Sequence, residues 1–292
     1  MNAPHGFAFG GIGTRWQLDA AEPIASDTRQ AVLDAVEDFD RTWSRFRKDS
    51  LVTRMRSADR GGAFVFPAED TALFDLYDTL HDATDGAVDP LVGADLEALG
   101  YDADYSLRPV DPPPPAPRPY RWWTDVHRDG PVLVIDGPVT LDVGAVGKGF
   151  LVDRLADLLR ADGHETLIVD GSGDITVRGA DSLRVGLEHP SDPERIVGIA
   201  ELADAAICAS ATNRRRWGHG LHHVVDARTG RPTDDVVATW AIAPSAAVAD
   251  GWATALFFVD RLIADASGIE WARVTAGGRL ESSRNFPGEL YA

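Results

Sequence analysis

The 292-residue sequence contains a single cysteine, Cys208, and no apolar run of the length that a bilayer requires. One cysteine cannot form a disulfide within the chain, and it excludes a zinc site built from cysteines. The amino-terminal residues have neither the basic and long apolar regions of a signal peptide nor a lipid-attachment cysteine. These absences predict a protein with no membrane segment that is cytoplasmic, or exported if a leader has been removed.

Basic residues are scarce, because 28 lysines and arginines stand against 46 aspartates and glutamates and leave a formal net charge of −18. Such a charge repels polyanions, so it argues against non-specific nucleic-acid binding and against attachment to an anionic membrane surface. One basic cluster stands out from this background: Arg214, Arg215 and Arg216. It either contacts a phosphate group or lies in a solvated loop.

A glycine-rich stretch at residues 142–153 follows two predicted strands, 131–136 and 139–143, and opens a predicted helix that ends at Gly163. Its glycines let the backbone approach a ligand, and the free N–H groups at a helix start attract anionic oxygens. Lys148 adds a cation, and the combination suits phosphate or pyrophosphate. The spacing matches neither a Walker loop nor a Gly-x-Gly-x-x-Gly fingerprint. The alternative is an ordinary strand-to-helix turn with a solvated lysine.

A second candidate site lies in a predicted helix at residues 246–258, which is apolar on nearly all sides and is therefore expected to be buried. Asp250 and Thr254 lie one turn apart on the same face of this helix. A buried carboxylate is costly unless it is paired or bound to a metal. Together the two side chains offer hard oxygen ligands to Mg²⁺, which takes its other ligands from water and phosphate. In the alternative interpretation, Asp250 caps the helix start and Thr254 bonds to a helical carbonyl.

Strand and helix patterns continue through the rest of the chain. They predict a strand over residues 7–18 with a glycine interruption, a helix from about Ser26, and a further helix from Pro67. Residues 107–120 are rich in proline and indicate an extended surface insertion rather than a domain boundary. We therefore expect a single domain that spans residues 1–292.

Seven short motifs lie at residues 12–14, 44–50, 84–90, 142–153, 170–174, 223–232 and 249–256. In this order they resemble the motifs of the ApbE family, the FAD:protein FMN transferases, over most of the chain. The resemblance implies an α+β fold of antiparallel-rich sheets with surrounding helices and two internally similar halves.

The resemblance also implies an activity and a site. Family members cleave FAD at its pyrophosphate with Mg²⁺, pass FMN to a threonine hydroxyl of an acceptor protein and release AMP. The implied metal ligands are Asp250, Thr254 and the backbone carbonyl of Ala145. The residues implied to line the dinucleotide site are Asp142 and Lys148. The residues implied to pack against the flavin or adenine end are Ile12, Phe46, Ala87, Val88 and Asp89.

His223 is the implied acceptor of the threonine proton, because a neutral imidazole is well suited to take a hydroxyl proton near neutral pH. A structural role is the alternative. The adjacent His222 would point to the other face of a strand, so only one of the two histidines can enter the site.

Two other functions would use the same residues. With water in place of threonine, the site would be a Mg²⁺-dependent FAD pyrophosphatase that gives free FMN and AMP. Without a bound metal, the chain would be a non-catalytic FAD-binding protein. The sequence departs from the family pattern at Ala227 in place of proline, Ile12 in place of methionine and Ser172 in place of glycine. None of these departures removes an implied metal ligand.

Overall fold

The computed structural model describes residues 5–115, 121–179 and 182–291. Its α-helices, α1 to α8, are Ser26–Trp43, Leu51–Arg56, Thr71–Ala83, Gly93–Ala98, Arg121–Asp125, Gly147–Ala161, Ala246–Ala255 and Arg261–Ala266. Its strands, β1 to β18, are His5–Gly11, Thr14–Ala20, Gly62–Val65, Val126–Asp129, Val132–Ile135, Leu167–Asp170, Ile175–Arg178, Leu183–His189, Asp192–Leu202, Ala206–Ala211, Arg216–Trp217, Leu221–His222, Val225–Asp226, Arg231–Pro232, Val236–Ala243, Glu270–Thr275, Leu280–Ser282 and Gly288–Leu290. The described chain forms two compact units. The second unit holds residues Asp38–Ala145 and Arg214–Thr233, and the first unit holds the remainder.

The first unit is built on an antiparallel sheet. Within the described residues this sheet has eight strands in the order β1-β2-β6-β7-β10-β15-β16-β17, and each neighbouring pair is antiparallel. A smaller antiparallel sheet, β18-β9-β8, belongs to the same unit. Helices α6 and α7 pack against each other and against strands of the larger sheet. The predicted α+β class with antiparallel-rich sheets is confirmed, whereas the internal similarity of two halves stays a prediction.

Two oxygen-bearing side chains fix the start of α7. Ser245 is the N-cap, and its hydroxyl accepts a hydrogen bond from the backbone N–H three residues on. Asp153 on α6 accepts hydrogen bonds from the N–H groups of Ala246 and Ala247. These bonds satisfy backbone donors that have no partner within the helix. The interpretation of Asp250 as a cap is therefore wrong, because other side chains fill that role.

Gly149 lets α6 and α7 approach each other closely. A methyl group built on Gly149 would lie 2.2 Å from the Ala246 carbonyl oxygen and 2.6 Å from Cβ of Asp250. Both atoms belong to a buried helix in a close-packed interior, so they have little room to move away. The glycine-rich stretch therefore has a packing role in addition to any role at a ligand.

Gly149→Ala is expected to lower the free energy of unfolding by roughly 1–3 kcal/mol, because the added methyl group forces the two helices apart. Denaturant unfolding followed by circular dichroism measures the change. Gly137→Ala is the matched control, since a methyl group there meets no atom within 4 Å, and its free energy of unfolding should change by less than about 0.5 kcal/mol. Equal stability of the two variants would contradict the packing role of Gly149.

The second unit combines a smaller sheet with an aromatic core beside α3. Its antiparallel sheet has the order β3-β5-β4, and the hairpins β11–β12 and β13–β14 belong to the same unit. Phe74 on α3 lies edge-on to Trp43 at 5.6 Å between ring centres, and Phe66 stacks on Trp43 at 4.6 Å. Trp43 Nε1 donates a hydrogen bond to the buried Asp70. The helix predicted from Pro67 begins at Thr71, after a 3-10 turn.

The prediction of one interrupted strand over residues 7–18 is wrong. Strands β1 and β2 instead form a hairpin that turns at Ile12 and Gly13. These two residues have φ angles of 44° and 75°, the left-handed region that two-residue hairpin turns require. A β-branched side chain seldom adopts it. The sequence pattern therefore predicts only an interruption at the Gly10-Gly11 pair and no turn at Ile12.

The predicted strand at residues 139–143 does not form. Pro138 lacks a backbone N–H for a sheet ladder, and the N–H of Asp142 donates to the Pro90 carbonyl instead. Helix α7 also ends at Ala255 rather than at residue 258.

The proline-rich segment is described in part. Residues 107–115 are exposed and form neither helix nor strand, and residues 116–120 of the predicted insertion lie outside the described residues. Across the described ranges, no helix is long and apolar enough to cross a membrane. The single-domain organisation stays a prediction.

Candidate active site

Three charged side chains of the first unit meet at the glycine-rich end of α6. Lys148 lies in the first turn of α6, Asp174 lies between β6 and β7, and Asp250 lies on α7. The Lys148 Nζ is 2.7 Å from Oδ2 of Asp174. Oδ2 of Asp250 accepts a hydrogen bond of 2.9 Å from the Gly149 N–H. Both carboxylates are buried, and the three side chains are called the Lys148 cluster below.

Burial and charge repulsion control protonation in the Lys148 cluster. Burial raises the pKa of Asp250 well above its usual value, and the negative charge of Asp174 raises it further, while the Lys148 ammonium acts in the opposite direction. For Lys148, burial acts to lower the pKa, but the charges of Asp174 and Asp250 outweigh burial and raise it. Lys148 therefore stays protonated. Two carboxylates beside one ammonium favour the binding of a further cation.

The oxygens of the Lys148 cluster fit Mg²⁺. Both oxygens of Asp174 are buried, and Oδ2 lies 2.7 Å from the Lys148 ammonium. Thr254 follows one turn after Asp250 on α7 and is partly exposed. Carboxylate and hydroxyl oxygens suit Mg²⁺. The described residues contain no group of three or more histidine, cysteine or acidic side chains that could hold a metal, so the remaining ligands would be backbone, water or phosphate oxygens.

The sequence did not single out two residues at this cluster, Asp174 and Cys208. The available signal for Asp174 was a carboxylate in the glycine-containing turn that follows a buried strand. Cys208 is buried, and its Sγ donates to the Ala246 carbonyl at 3.3 Å. Burial, followed by the charges of Asp174 and Asp250, raises the pKa of the thiol well above its usual value. Cys208 is therefore a neutral thiol.

Ala145 belongs to the second unit, and the assignment of its carbonyl as a metal ligand stays a prediction.

In the second unit, the partly exposed Asp142 forms an ion pair with the buried Arg45. Its Oδ2 is 2.6 Å from Nε of Arg45, and its Oδ1 accepts a hydrogen bond of 2.7 Å from the Gly144 N–H. Arg45 also donates to the Tyr101 carbonyl at 2.8 Å. Burial acts to raise the pKa of Asp142, but the Arg45 guanidinium outweighs burial and lowers it. Asp142 is therefore ionised and held by protein groups, and its contact with a dinucleotide stays a prediction.

The two adjacent histidines differ in their hydrogen bonds. His222 is buried, its Nε2 bonds the Thr233 carbonyl at 2.8 Å, and its Nδ1 accepts from the Val224 N–H at 3.3 Å. The Nδ1 of His223 is buried and has no hydrogen-bond partner in the described part of the chain. His222 therefore has the structural role, and His223 keeps a ring nitrogen that can accept a proton.

His223 is neutral at physiological pH. Burial lowers its pKa from 6.5 to about 4, and the Arg215 guanidinium contributes to the shift. Weaker effects come from the Arg215 backbone and Asp142, which raise the pKa, and from His222, which lowers it. An uncharged imidazole with a bare nitrogen can act as a base.

The residues implied to contact the flavin or adenine belong to both units of the described chain. Ile12 lies in the β1–β2 turn of the first unit. In the second unit, Phe46 stacks on Tyr105 at 5.0 Å between ring centres. Ala87 and Val88 are buried, and Asp89 accepts hydrogen bonds from the N–H groups of Leu91 and Trp122. The contacts of these five predicted residues with a ligand stay predictions.

The fold resembles solved flavin transferases. The flavin transferase ApbE from Vibrio cholerae superposes with a TM-score of 0.80 at 21% identity, covering 96% of this chain and 97% of that chain. The ApbE protein from Thermotoga maritima superposes with a TM-score of 0.82 at 22% identity, covering 96% of this chain and 97% of that chain. The chain thus has the fold of these proteins.

Sequence comparison gives the family. The model of the ApbE family matches residues 12–275. The FAD:protein FMN transferase of Vibrio cholerae serotype O1 is 30% identical over 244 residues, which are 79% of this chain and 73% of that protein. The FAD:protein FMN transferase of Escherichia coli K12 is 27% identical over 271 residues, which are 84% of this chain and 75% of that protein. This chain belongs to the ApbE family.

Proposed function

We propose that this protein transfers FMN from FAD to a threonine hydroxyl of an acceptor protein and releases AMP. The observation that carries the proposal is the neutral imidazole of His223, whose buried Nδ1 has no hydrogen-bond partner among the described residues. The names of the sequence relatives support the same reaction.

In the proposed step, the threonine hydroxyl oxygen forms a bond to the FMN phosphorus of FAD. His223 accepts the hydroxyl proton on Nδ1. The bond between that phosphorus and the bridging pyrophosphate oxygen breaks, and AMP leaves with the bridging oxygen and its electron pair. The product is a phosphodiester between FMN and threonine.

The proposed metal ligands are Asp250, Thr254 and the Ala145 carbonyl, and Asp174 adds negative charge beside Asp250. Mg²⁺, when bound, neutralises pyrophosphate charge and acts as a Lewis acid at a phosphoryl oxygen. Lys148 is positioned by Asp174 at 2.7 Å, and we assign its ammonium to the FAD phosphates. The first backbone N–H groups of the 15-residue helix α6 favour the same anion.

FAD is expected to bind at least about tenfold more tightly than riboflavin, because the Lys148 ammonium and the α6 N-terminus recognise the pyrophosphate that riboflavin lacks. Titration of flavin fluorescence in the presence of Mg²⁺ measures both affinities. Equal affinities would show that the ring system alone drives binding and would assign the glycine-rich turn to packing only.

The dependence of AMP release on an acceptor tests the reaction class. FAD and Mg²⁺ are incubated with the protein, with and without a threonine-containing acceptor protein. Transfer predicts that AMP appears only with the acceptor. AMP together with free FMN in the absence of acceptor would indicate a pyrophosphatase instead.

A further inference from the structure

One arginine of the Arg214–Arg216 cluster lies beside His223. In the β11–β12 hairpin, Arg216 pairs with His222 and Trp217 pairs with Leu221. Arg215 and His223 are the next residues beyond these pairs, each in a bend that follows the open end of the hairpin. They are neighbours there, because both the backbone and the guanidinium of Arg215 act on the His223 imidazole.

An aromatic contact positions the Arg215 side chain. Arg215 and Trp217 share one neighbour, the ring of Tyr101. Trp217 stacks on Tyr101 at 5.7 Å between ring centres. The Arg215 guanidinium lies over the same Tyr101 ring at 5.8 Å. Arg215 is exposed, so its guanidinium is accessible to an incoming anion while the aromatic ring orients it.

The proposed reaction places a phosphate close to this guanidinium. A base must lie within hydrogen-bond distance of the hydroxyl that it deprotonates, about 2.6–3.2 Å. The hydroxyl oxygen attacks phosphorus, so the phosphoryl oxygens come within a few ångströms of His223. The guanidinium of the neighbouring Arg215 can reach them, and its planar fork binds phosphate oxygens with two parallel hydrogen bonds.

We propose that Arg215 is a catalytic residue that binds the phosphoryl group being transferred and stabilises the negative charge on its oxygens. This assignment rests on the proposed function. The guanidinium has a second effect, because its positive charge disfavours the charged form of the His223 imidazole. The other groups that act on His223 are His222, which works in the same direction, and Asp142, which works against it.

The test compares Arg215→Gln with Arg216→Gln, which makes the same charge change at the adjacent residue, which is also exposed. Single-turnover transfer is measured with saturating FAD, Mg²⁺ and acceptor at about pH 8, where His223 is neutral in every variant. Arg215→Gln should transfer roughly 10²–10³-fold more slowly, and Arg216→Gln should stay within about twofold of the unmodified protein. Arg215→Lys should recover part of the rate because it restores the charge but not the fork.

Two readouts do not depend on transfer. FAD affinity should fall in Arg215→Gln but not in Arg216→Gln, whereas riboflavin affinity should be unchanged in both. NMR titration of the imidazoles should show a higher His223 pKa in Arg215→Gln alone, by roughly 0.5–1 unit.

Equal transfer rates in the two glutamine variants would overturn the assignment of Arg215. Failure of the proposed function has a different signature, since the unmodified protein would then form no acceptor-bound flavin. In that case FAD affinity decides the assignment. Selective weakening in Arg215→Gln supports the phosphate contact, and unchanged affinity overturns it.

Discussion

His223→Asn is expected to bind FAD as the unmodified protein does and to transfer FMN roughly two to four orders of magnitude more slowly. Asparagine keeps similar size and some hydrogen bonding, but its amide cannot accept the hydroxyl proton. The Nδ1 that is removed has no hydrogen-bond partner in the described structure, and the asparagine amide can replace the hydrogen bond that the ring makes with the Arg215 backbone. FAD titration, thermal melting and single-turnover transfer on one preparation measure these effects.

His222→Asn is the matched control for this variant. It disturbs the bonds of His222 with the Thr233 carbonyl and the Val224 N–H, so its melting temperature should fall. Its folded fraction should transfer FMN at a nearly normal rate. Near-normal transfer by folded His223→Asn would defeat the assignment of the base.

The pH dependence of transfer follows from the pKa of His223. Only the neutral ring accepts a proton, so activity is lost as the pH falls through the pKa. Because that pKa is lowered to about 4, the His223 contribution should be flat between about pH 5.5 and 8. A decline centred near 6.5, the value of an ordinary histidine, would contradict the buried environment beside Arg215.

Asp250→Ala is expected to abolish turnover and leave the fold intact. The variant removes the proposed charged metal ligand from the Lys148 cluster. Burial and Asp174 already raise the pKa of Asp250, so the loss of this carboxylate also relieves repulsion. This relief opposes the loss of the hydrogen bond from the buried Gly149 N–H, so the melting temperature should stay close to that of the unmodified protein.

Asp250→Asn distinguishes loss of the metal ligand from loss of packing, because its amide oxygen can still accept a hydrogen bond from the Gly149 N–H. It should also lose turnover by at least roughly 10³-fold. Mg²⁺ with FAD should raise the melting temperature of the unmodified protein and of neither variant. Turnover by Asp250→Ala, or by the unmodified protein in excess chelator, would contradict the metal assignment.

Local patterns predicted the elements that hold the site. The helix spacing placed α6 after the glycine-rich stretch and put Asp250 and Thr254 on one helix, because both features depend on neighbours a few residues away. The Ile12-Gly13 turn was missed because it uses a conformation that isoleucine seldom adopts.

Long-range partners were not predictable from local pattern. Asp142 is paired with Arg45, which lies 97 residues earlier in the chain, and nothing near Asp142 in sequence indicates that pairing. The distinction between the two histidines likewise comes from the Thr233 carbonyl, which bonds His222 from a different segment. Sequence spacing suggested that only one histidine enters the site, and the tertiary bonds leave His223 with a ring nitrogen that has no partner among the described residues.

Product stoichiometry tests the central claim most directly. The protein is mixed with FAD, Mg²⁺ and a threonine-containing acceptor protein, and AMP, free FMN and the intact mass of the acceptor are measured in the same samples. A matched acceptor with the threonine replaced by valine is the control. The proposal predicts one AMP for each acceptor that gains FMN, little free FMN, and no reaction of the valine acceptor. AMP accompanied by an equal amount of free FMN, with an unmodified acceptor, would contradict it.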